Sequence, residues 1–267
     1  MYMTKRAGCF ASPARRAAQF REYGRGGLFG LLTPQGNPTA EPEMRILLPP
    51  TSVMLAGRLT SSGSQLRERL IDYVERLDEA VDSFADIPFD AVGVACTGSS
   101  YWSDAADERR RTDAITVRKG YPVVTAAQAV RAALDVLGVG TLALVSPYPE
   151  WLTEACRQHW ERQGFRVTAI IQLPSGSGEA HGIYGLTTPE VMEAIASHDA
   201  QAADALLLTG TGMPSLRVIL TLERERALPV LSSNLCLAWA LARMTGAADP
   251  GAESRLYGGW AQRLAAS

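Results

Sequence analysis

Two stretches, FDAVGVACTG (89–98) and ADALLLTGTG (203–212), decide the fold when one is laid over the other. In each an aspartate is followed by a short apolar run that closes on Thr-Gly, and the offset of 114 residues places Asp90 over Asp204 and Cys96 over Gly210. Runs that stay apolar instead of alternating suit strands of a parallel sheet covered on both faces. Working outward, LDEAV (77–81) falls over VMEAI (191–195) at the same offset, and GLLTP (30–34) over ALVSP (143–147) one residue short of it. YPVVTAAQA (121–129) and LPVLSSNLC (228–236) place Pro122 over Pro229. Matches that recur in one order are the signature of an internal duplication.

LFGLLTP (28–34), TLALVSP (141–147) and FRVTAIIQL (165–173) read as further strands, with helical patterns such as SQLRERLIDYVERLDEAVDSF (64–84) and TPEVMEAIASHDAQAA (188–203) between them. Strand and helix in alternation predict an α/β fold. The expected architecture is two pseudo-symmetric lobes, each a parallel sheet flanked by helices, with an active-site cleft between them. The expected boundaries are a first lobe of 26–119 plus 229–267, a second of 120–228, and a basic extension over 1–25.

Composition narrows the class. Of 267 residues, 46% are apolar, too many for a disordered chain. Lys and Arg number 26 against 28 Asp and Glu, a net charge of −2, which argues against a nucleic-acid backbone as partner. No apolar run reaches the length of a membrane-spanning helix. The first 25 residues carry six basic side chains against Glu22 alone and lack the apolar core of a secretory signal, so they read as an extension in which Cys9 has no role. Cys9, Cys96, Cys156 and Cys236 lie far apart, which predicts free thiols in a reducing, cytoplasmic setting.

Ligands of open α/β sheets bind beyond the carboxyl ends of the strands. Those ends are Thr33–Asn37, Cys96–Ser100, Ser146–Tyr148 and Gly210–Ser215. ACTGSSYW (95–102) is the strongest local signal. A thiol ending a buried strand, followed by small residues whose N–H groups can bind a carboxylate and lower the thiol pKa, suits a nucleophile or proton donor. A small core cysteine is the plainer alternative. GTGMPS (210–215) offers N–H donors for an anion or enediolate, or is only a glycine-rich turn. Asn37 either donates to a carboxylate or shapes a turn. Tyr148 either donates to an oxyanion or packs in the core. SSN (232–234) adds hydroxyls and an amide, or a structural cap, and Cys156 and Cys236 read as core. His159 and His198 read as solvated surface, His181 in SGSGEAHGIYG (175–185) as part of a long glycine-rich loop, with a cover for the cleft as the alternative, and DERRRTD (107–113) as a solvated face or an oligomer rim. There is no zinc spacing, phosphate loop or dinucleotide fingerprint, so neither metal nor cofactor is expected.

Together these residues resemble the aspartate/glutamate racemase superfamily, specifically its maleate cis–trans isomerase and arylmalonate decarboxylase branch, over roughly residues 28–245. TPQGNPTAEPE (33–43) is similar to the isomerase opening segment, ACTGSS to the first cysteine motif, SPY to a tyrosine motif, TGTGMPS to the second cysteine motif and SSNLCLAW to a late segment. The resemblance implies Cys96 as the catalytic thiol. It implies substrate contacts from Thr33, Asn37, Thr97, Gly98, Tyr148, Gly210, Thr211 and Asn234. It also implies a small carboxylic or dicarboxylic acid as substrate, and a homodimer.

One departure matters. Isomerases of this kind use a cysteine from each lobe, and the second falls on Gly210. The decarboxylases keep one cysteine, on the second lobe, with glycine on the first, the reverse of this chain. The leading expectation is a cofactor-independent isomerase of a small unsaturated dicarboxylate with Cys96 as nucleophile. The alternatives are an arylmalonate-type decarboxylase with Cys96 as proton donor, and a small-acid binding protein without turnover. Cysteine installed at Gly210 is expected to raise two-thiol activity where the cleft is otherwise intact.

Overall fold

The computed structural model describes residues 21–174, 182–198, 203–246 and 253–267. Most of the N-terminal extension, with Cys9, and also His181 lie outside the described residues. The first half runs β1 (Leu28–Pro34), α1 (Ala40–Leu47), β2 (Val53–Leu59), α2 (Leu66–Glu75), α3 (Leu77–Asp82), β3 (Ala91–Val94), α4 (Thr97–Ser100), α5 (Ala105–Lys119), β4 (Val123–Thr125) and α6 (Ala126–Val136). The second runs β5 (Thr141–Ser146), α7 (Glu150–Arg162), β6 (Arg166–Gln172), a 3-10 turn (Gly182–Gly185), α8 (Thr188–Ala196), β7 (Ala205–Leu208), α9 (Leu216–Glu225), β8 (Val230–Ser232) and α10 (Ser233–Thr245), with α11 (Ala261–Ala265) last. The strands form two four-stranded sheets, ordered β2-β1-β3-β4 and β6-β5-β7-β8, and every pairing is parallel.

The duplication is visible bond by bond. Asp90 accepts from Leu28 N at 2.7 Å, and Asp204 accepts from Thr141 N at 2.8 Å, each carboxylate holding the first residue of its half's opening strand. Ala95 N donates to Leu32 O and Thr209 N to Val145 O; Pro122 O and Pro229 O accept from Val92 N and Leu206 N. The central strands β1, β3, β5 and β7 are buried almost throughout, as uninterrupted apolar runs require.

The expected lobe boundaries each fall one strand early. β4 pairs with β3 and β8 with β7, so residues 123–125 complete the first sheet and 230–232 the second. The helix that follows β8 then changes sides, and the one that follows β4 touches the other half. α10 leaves the second sheet and packs on α1 and β3 of the first half, where a Cβ at Gly93 would stand 3.1 Å from Leu241 and 3.2 Å from Leu237. α6 packs on α10 and reaches the second half, with Arg131 donating to Gln163 O at 2.8 Å and lying over the Phe165 ring.

Other expectations shift as well. The 64–84 helix is two helices, α2 and α3, broken at Arg76. His159 is core, not surface. It is 3% exposed, edge-on to Tyr101 and Trp160, and burial pulls its pKa down to about 4. The 107–113 segment is not wholly solvated either. Glu108 and Thr112 face inward from α5, and Glu108 accepts from Ser100 Oγ at 2.5 Å. Cys156 and Cys236 are fully buried. No described helix is long and apolar enough to cross a membrane.

A buried carboxylate clamps the halves together. The inner face of α1 is Ala40, Glu43, Met44 and Leu47, a helical stripe with one acid in it. Glu43 Oε1 accepts from Ser215 N at 2.5 Å and Leu216 N at 3.2 Å; Oε2 accepts from Ser215 Oγ and from Asn234 Nδ2, both at 2.8 Å. Burial pushes the Glu43 pKa up and the four donors pull it down, with burial the larger effect. The two backbone N–H groups and the Asn234 amide can only donate, whereas the Ser215 hydroxyl, which also lies 2.8 Å from Ser232 Oγ, can donate or accept. Beside Glu43, Thr39 Oγ1 donates to Gly212 O at 2.7 Å.

Glu43→Ala would strand all four donors. Breaking a buried, hydrogen-bonded charge costs about 3–5 kcal/mol, and a loss of about that size is expected in urea-induced unfolding. Glu43→Gln retains one acceptor oxygen and should recover part of it; wild-type stability in the alanine variant would contradict the clamp.

Candidate active site

One small cavity collects the strand ends of both halves. Its wall is built from Pro34–Asn37 after β1, Cys96–Gly98 after β3, Tyr148 after β5 and Gly210–Gly212 after β7. It holds about 80 Å³, room for an acid of a few carbons and far below the volume of a nucleotide site.

Cys96 sits where β3 turns into the single turn α4, with φ −147°. It is 5% exposed, yet it forms part of the cavity wall. The Ser99 hydroxyl and the N–H groups of Ser99 and Gly98 favour the thiolate, but desolvation is larger and the nearby Glu108 charge adds to it, so the thiol pKa is raised. The expected lowering by backbone donors is therefore overturned: those donors act on the sulfur but are outweighed by the loss of water around it.

Tyr148 is 7% exposed, and its Oη shares a hydrogen bond of 3.1 Å with Thr97 Oγ1, which also lies 3.3 Å from Ser233 Oγ. Burial pushes the phenol pKa far up, so Tyr148 remains a protonated donor at neutral pH. Asn37 takes both of the roles weighed for it at sequence level only in part. Its Oδ1 accepts from Thr39 N (2.9 Å) and Ala40 N (3.1 Å), shaping the start of α1. Its Nδ2 donates to Thr211 Oγ1 at 3.0 Å, which leaves one amide proton for the cavity it lines. Thr211 Oγ1 in turn donates to Ala95 O at 2.8 Å, across the seam and next to Cys96.

Two residues from the expected set stand back from the cavity. Thr33 is fully buried on β1, its hydroxyl without a partner. Asn234 spends its amide protons on Glu43 and on Thr211 O, at 2.8 and 3.1 Å, so it holds the Thr211 backbone in place from behind.

Gly210 breaks the pseudo-symmetry. Its φ is +85°, and a Cβ there would lie 3.0 Å from Tyr148 Oη and 3.1 Å from Ile183 Cδ1. Its counterpart Cys96 is extended. The second half thus presents a backbone that favours glycine where the first presents a thiol.

Sequence reasoning missed the rest of the wall. α2 contributes Leu66, Arg69, Leu70 and Tyr73, α7 contributes Leu152, and the 3-10 turn contributes Ile183 and Tyr184, whose ring packs against Gly212. The α2 residues follow i, i+3, i+4, i+7, so a helical projection of 66–73 places an arginine on the inward stripe. The Gly-rich loop has no such period. Among the described residues, no group of three His, Cys, Asp or Glu side chains could hold a metal ion.

Comparison with known proteins places the chain in a family and a fold. A family profile described as arylmalonate decarboxylase matches residues 29–257. A maleate isomerase of Pseudomonas putida is 25% identical over 250 residues, covering 86% of this chain and 97% of that protein. Among solved structures, the maleate isomerase Iso of Pseudomonas putida S16 superposes with a TM-score of 0.78 at 22% identity, over 86% of this chain and 98% of that one. A cysteine-to-serine mutant of Nocardia farcinica maleate cis–trans isomerase, carrying a covalently bound succinylcysteine intermediate, gives 0.71 at 26% identity, over 81% and 91%.

The geometry at Gly210 reverses the expectation for a second thiol there. A side chain in that left-handed conformation costs about 1–2 kcal/mol before any clash. Gly210→Ala should lower the unfolding free energy by at least about that much. Gly210→Cys should lower stability similarly and give no rise in turnover; a more active cysteine variant with wild-type stability would refute this.

Proposed function

This chain belongs to the arylmalonate decarboxylase family, in the maleate isomerase and arylmalonate decarboxylase branch of the aspartate/glutamate racemase superfamily, and we propose that it is a cofactor-independent isomerase of a small unsaturated dicarboxylate with Cys96 as nucleophile. Membership makes it an isomerase or a carbon–carbon lyase. What supports the isomerase reading is a lone thiol on the wall of a cavity of about 80 Å³, ringed by donors from both halves.

The chemistry needs only that thiol. The Cys96 sulfur, as thiolate, adds to one alkene carbon, and the π pair moves onto the adjacent carboxylate as an enediolate. The former double bond is then single and free to rotate. The electron pair returns, the C–S bond breaks, and the trans acid leaves with Cys96 regenerated. The Tyr148 hydroxyl and the free Asn37 amide proton are the donors for the enediolate, which they stabilise at the point where charge develops. No second thiol has to protonate the intermediate, so Gly210 is compatible with this route. The succinylcysteine of the Nocardia farcinica relative supports formation of the carbon–sulfur bond, there with a proton added at the neighbouring carbon.

A second reading is favoured by one observation. Desolvation raises the Cys96 pKa, which keeps the thiol protonated at neutral pH, the form a decarboxylase needs to protonate an enediolate after carbon dioxide leaves. The two readings predict opposite pH limbs. Addition needs the thiolate, so kcat/KM should rise with pH until it levels off above the ordinary thiol value of about 8.5. Proton donation needs S–H, so kcat/KM should fall through that same inflection.

The test is conversion of maleate to fumarate followed by proton NMR, beside carbon dioxide release from a substituted malonate. Cys96→Ser should lower the active reaction by at least ~100-fold with the circular dichroism spectrum retained, since acid–base or covalent roles carry about that much. Unchanged turnover would remove Cys96 from the mechanism.

A further inference from the structure

We propose that Arg69 is the carboxylate-selecting cation of this cavity, the residue that makes it prefer a dicarboxylic acid over the matching monoacid. The inference rests on reading the cavity as an acid-binding site, and it adds the residue that recognises the second carboxylate.

Arg69 lies on the inward stripe of α2 with Leu66, Leu70 and Tyr73, and it lines the same cavity as Cys96. Its surroundings leave a donor unused. One terminal nitrogen donates to Ser64 O at 3.2 Å, while Nε is buried and has no hydrogen-bond partner. Among the described residues Arg69 forms no ion pair, although most of the arginines that do are on the surface. No aspartate or glutamate lines the cavity, and Arg69 is its one charged side chain among the described residues. The other charged groups brought inside are answered: Glu43 has four donors and Glu108 has the Ser100 hydroxyl.

Burying a guanidinium nitrogen with nothing to bond is unfavourable unless something fills the place. A guanidinium offers five donors in a planar fork that matches a carboxylate, and such charge-assisted bonds are the stronger kind. The donors at the strand ends are neutral: Tyr148, Asn37 and the backbone of Thr97 and Thr211. They suit the carboxylate that becomes an enediolate, whose charge is spread and transient. The permanent charge at Arg69 suits a carboxylate that stays fully ionised throughout. Leu66, Leu70 and Leu152 supply apolar wall around these polar groups, and this dry surround strengthens the pairing.

The experiment reads binding and needs no turnover. Succinate, a saturated four-carbon diacid that cannot isomerise, and butyrate, its monoacid, are titrated by calorimetry into the wild type, Arg69→Gln and Arg69→Lys. A lost charge-assisted bond corresponds to at least ~10-fold in affinity. Wild type should therefore bind succinate at least ~10-fold more tightly than butyrate. Arg69→Gln should erase that preference, because the second carboxylate of succinate then loses its charged partner, and Arg69→Lys, which keeps the charge without the fork, should fall between. The circular dichroism spectrum controls for the fold, and the lysine variant serves if the glutamine variant does not fold. No succinate preference in the wild type, or a preference that survives Arg69→Gln, would overturn the assignment. Succinate selectivity that depends on Arg69, in a protein that does not turn maleate over, would sink the isomerase reading and leave this one standing.

Discussion

A carboxylate cut off from water must be met by donors, and Glu43 finds all four of its own across the seam from the helix that carries it. That requirement fixes the start of α9 and the amide of Asn234 against α1. Asn234 then grips Thr211 O, Thr211 grips Ala95 O, and Ala95 is the residue before Cys96. The position of the thiol relative to the opposite strand end is thus set through a chain of short polar contacts that begins at a group with no direct part in chemistry. The chain is continuous in the structure, and each bond in it joins residues far apart in sequence.

The duplication supplies the frame, and the correspondence breaks where the strand ends meet the cavity. Asp90 and Asp204 anchor equivalent strands with equivalent bonds, so the two strand ends approach the cavity alike. At the ends they diverge: Cys96 is extended and carries sulfur, whereas Gly210 is left-handed and yields its space to Tyr148 and Ile183. A cavity assembled from two copies of one motif is thus one-sided, with a thiol on one wall and neutral donors facing it.

Much of this was legible in the chain. The repeat, the strands and the strand-end residues Asn37, Cys96, Tyr148 and Thr211 follow from apolar runs that stop at small polar residues, because a parallel sheet buries its strands on both faces. The sheet partition was not legible, since a three-residue strand such as Val230–Ser232 reads the same whichever sheet it joins; only hydrogen bonding decides. Glu43 and Arg69 were passed over for a shared reason. Each is a charged residue in the inward stripe of an amphipathic helix, and a charge in a stripe looks like noise until its partners, or their absence, are seen. His159 misled in the converse direction, because charged neighbours in sequence say little about which face a ring takes. Backbone conformation at Gly210 leaves no mark beyond the glycine itself.

The exchange of helices has a consequence for how the molecule can be divided. α6 follows the fourth strand of one sheet and is held by Gln163 and Phe165 of the other half, while α10 follows the fourth strand of the other and lies against β3 of the first. Severing the chain in the short link at 137–140 would part α10 from β3 and α1, the surfaces it packs on, and Arg131 from Gln163 and Phe165. Each fragment would expose a helix face that the intact chain covers with the other half.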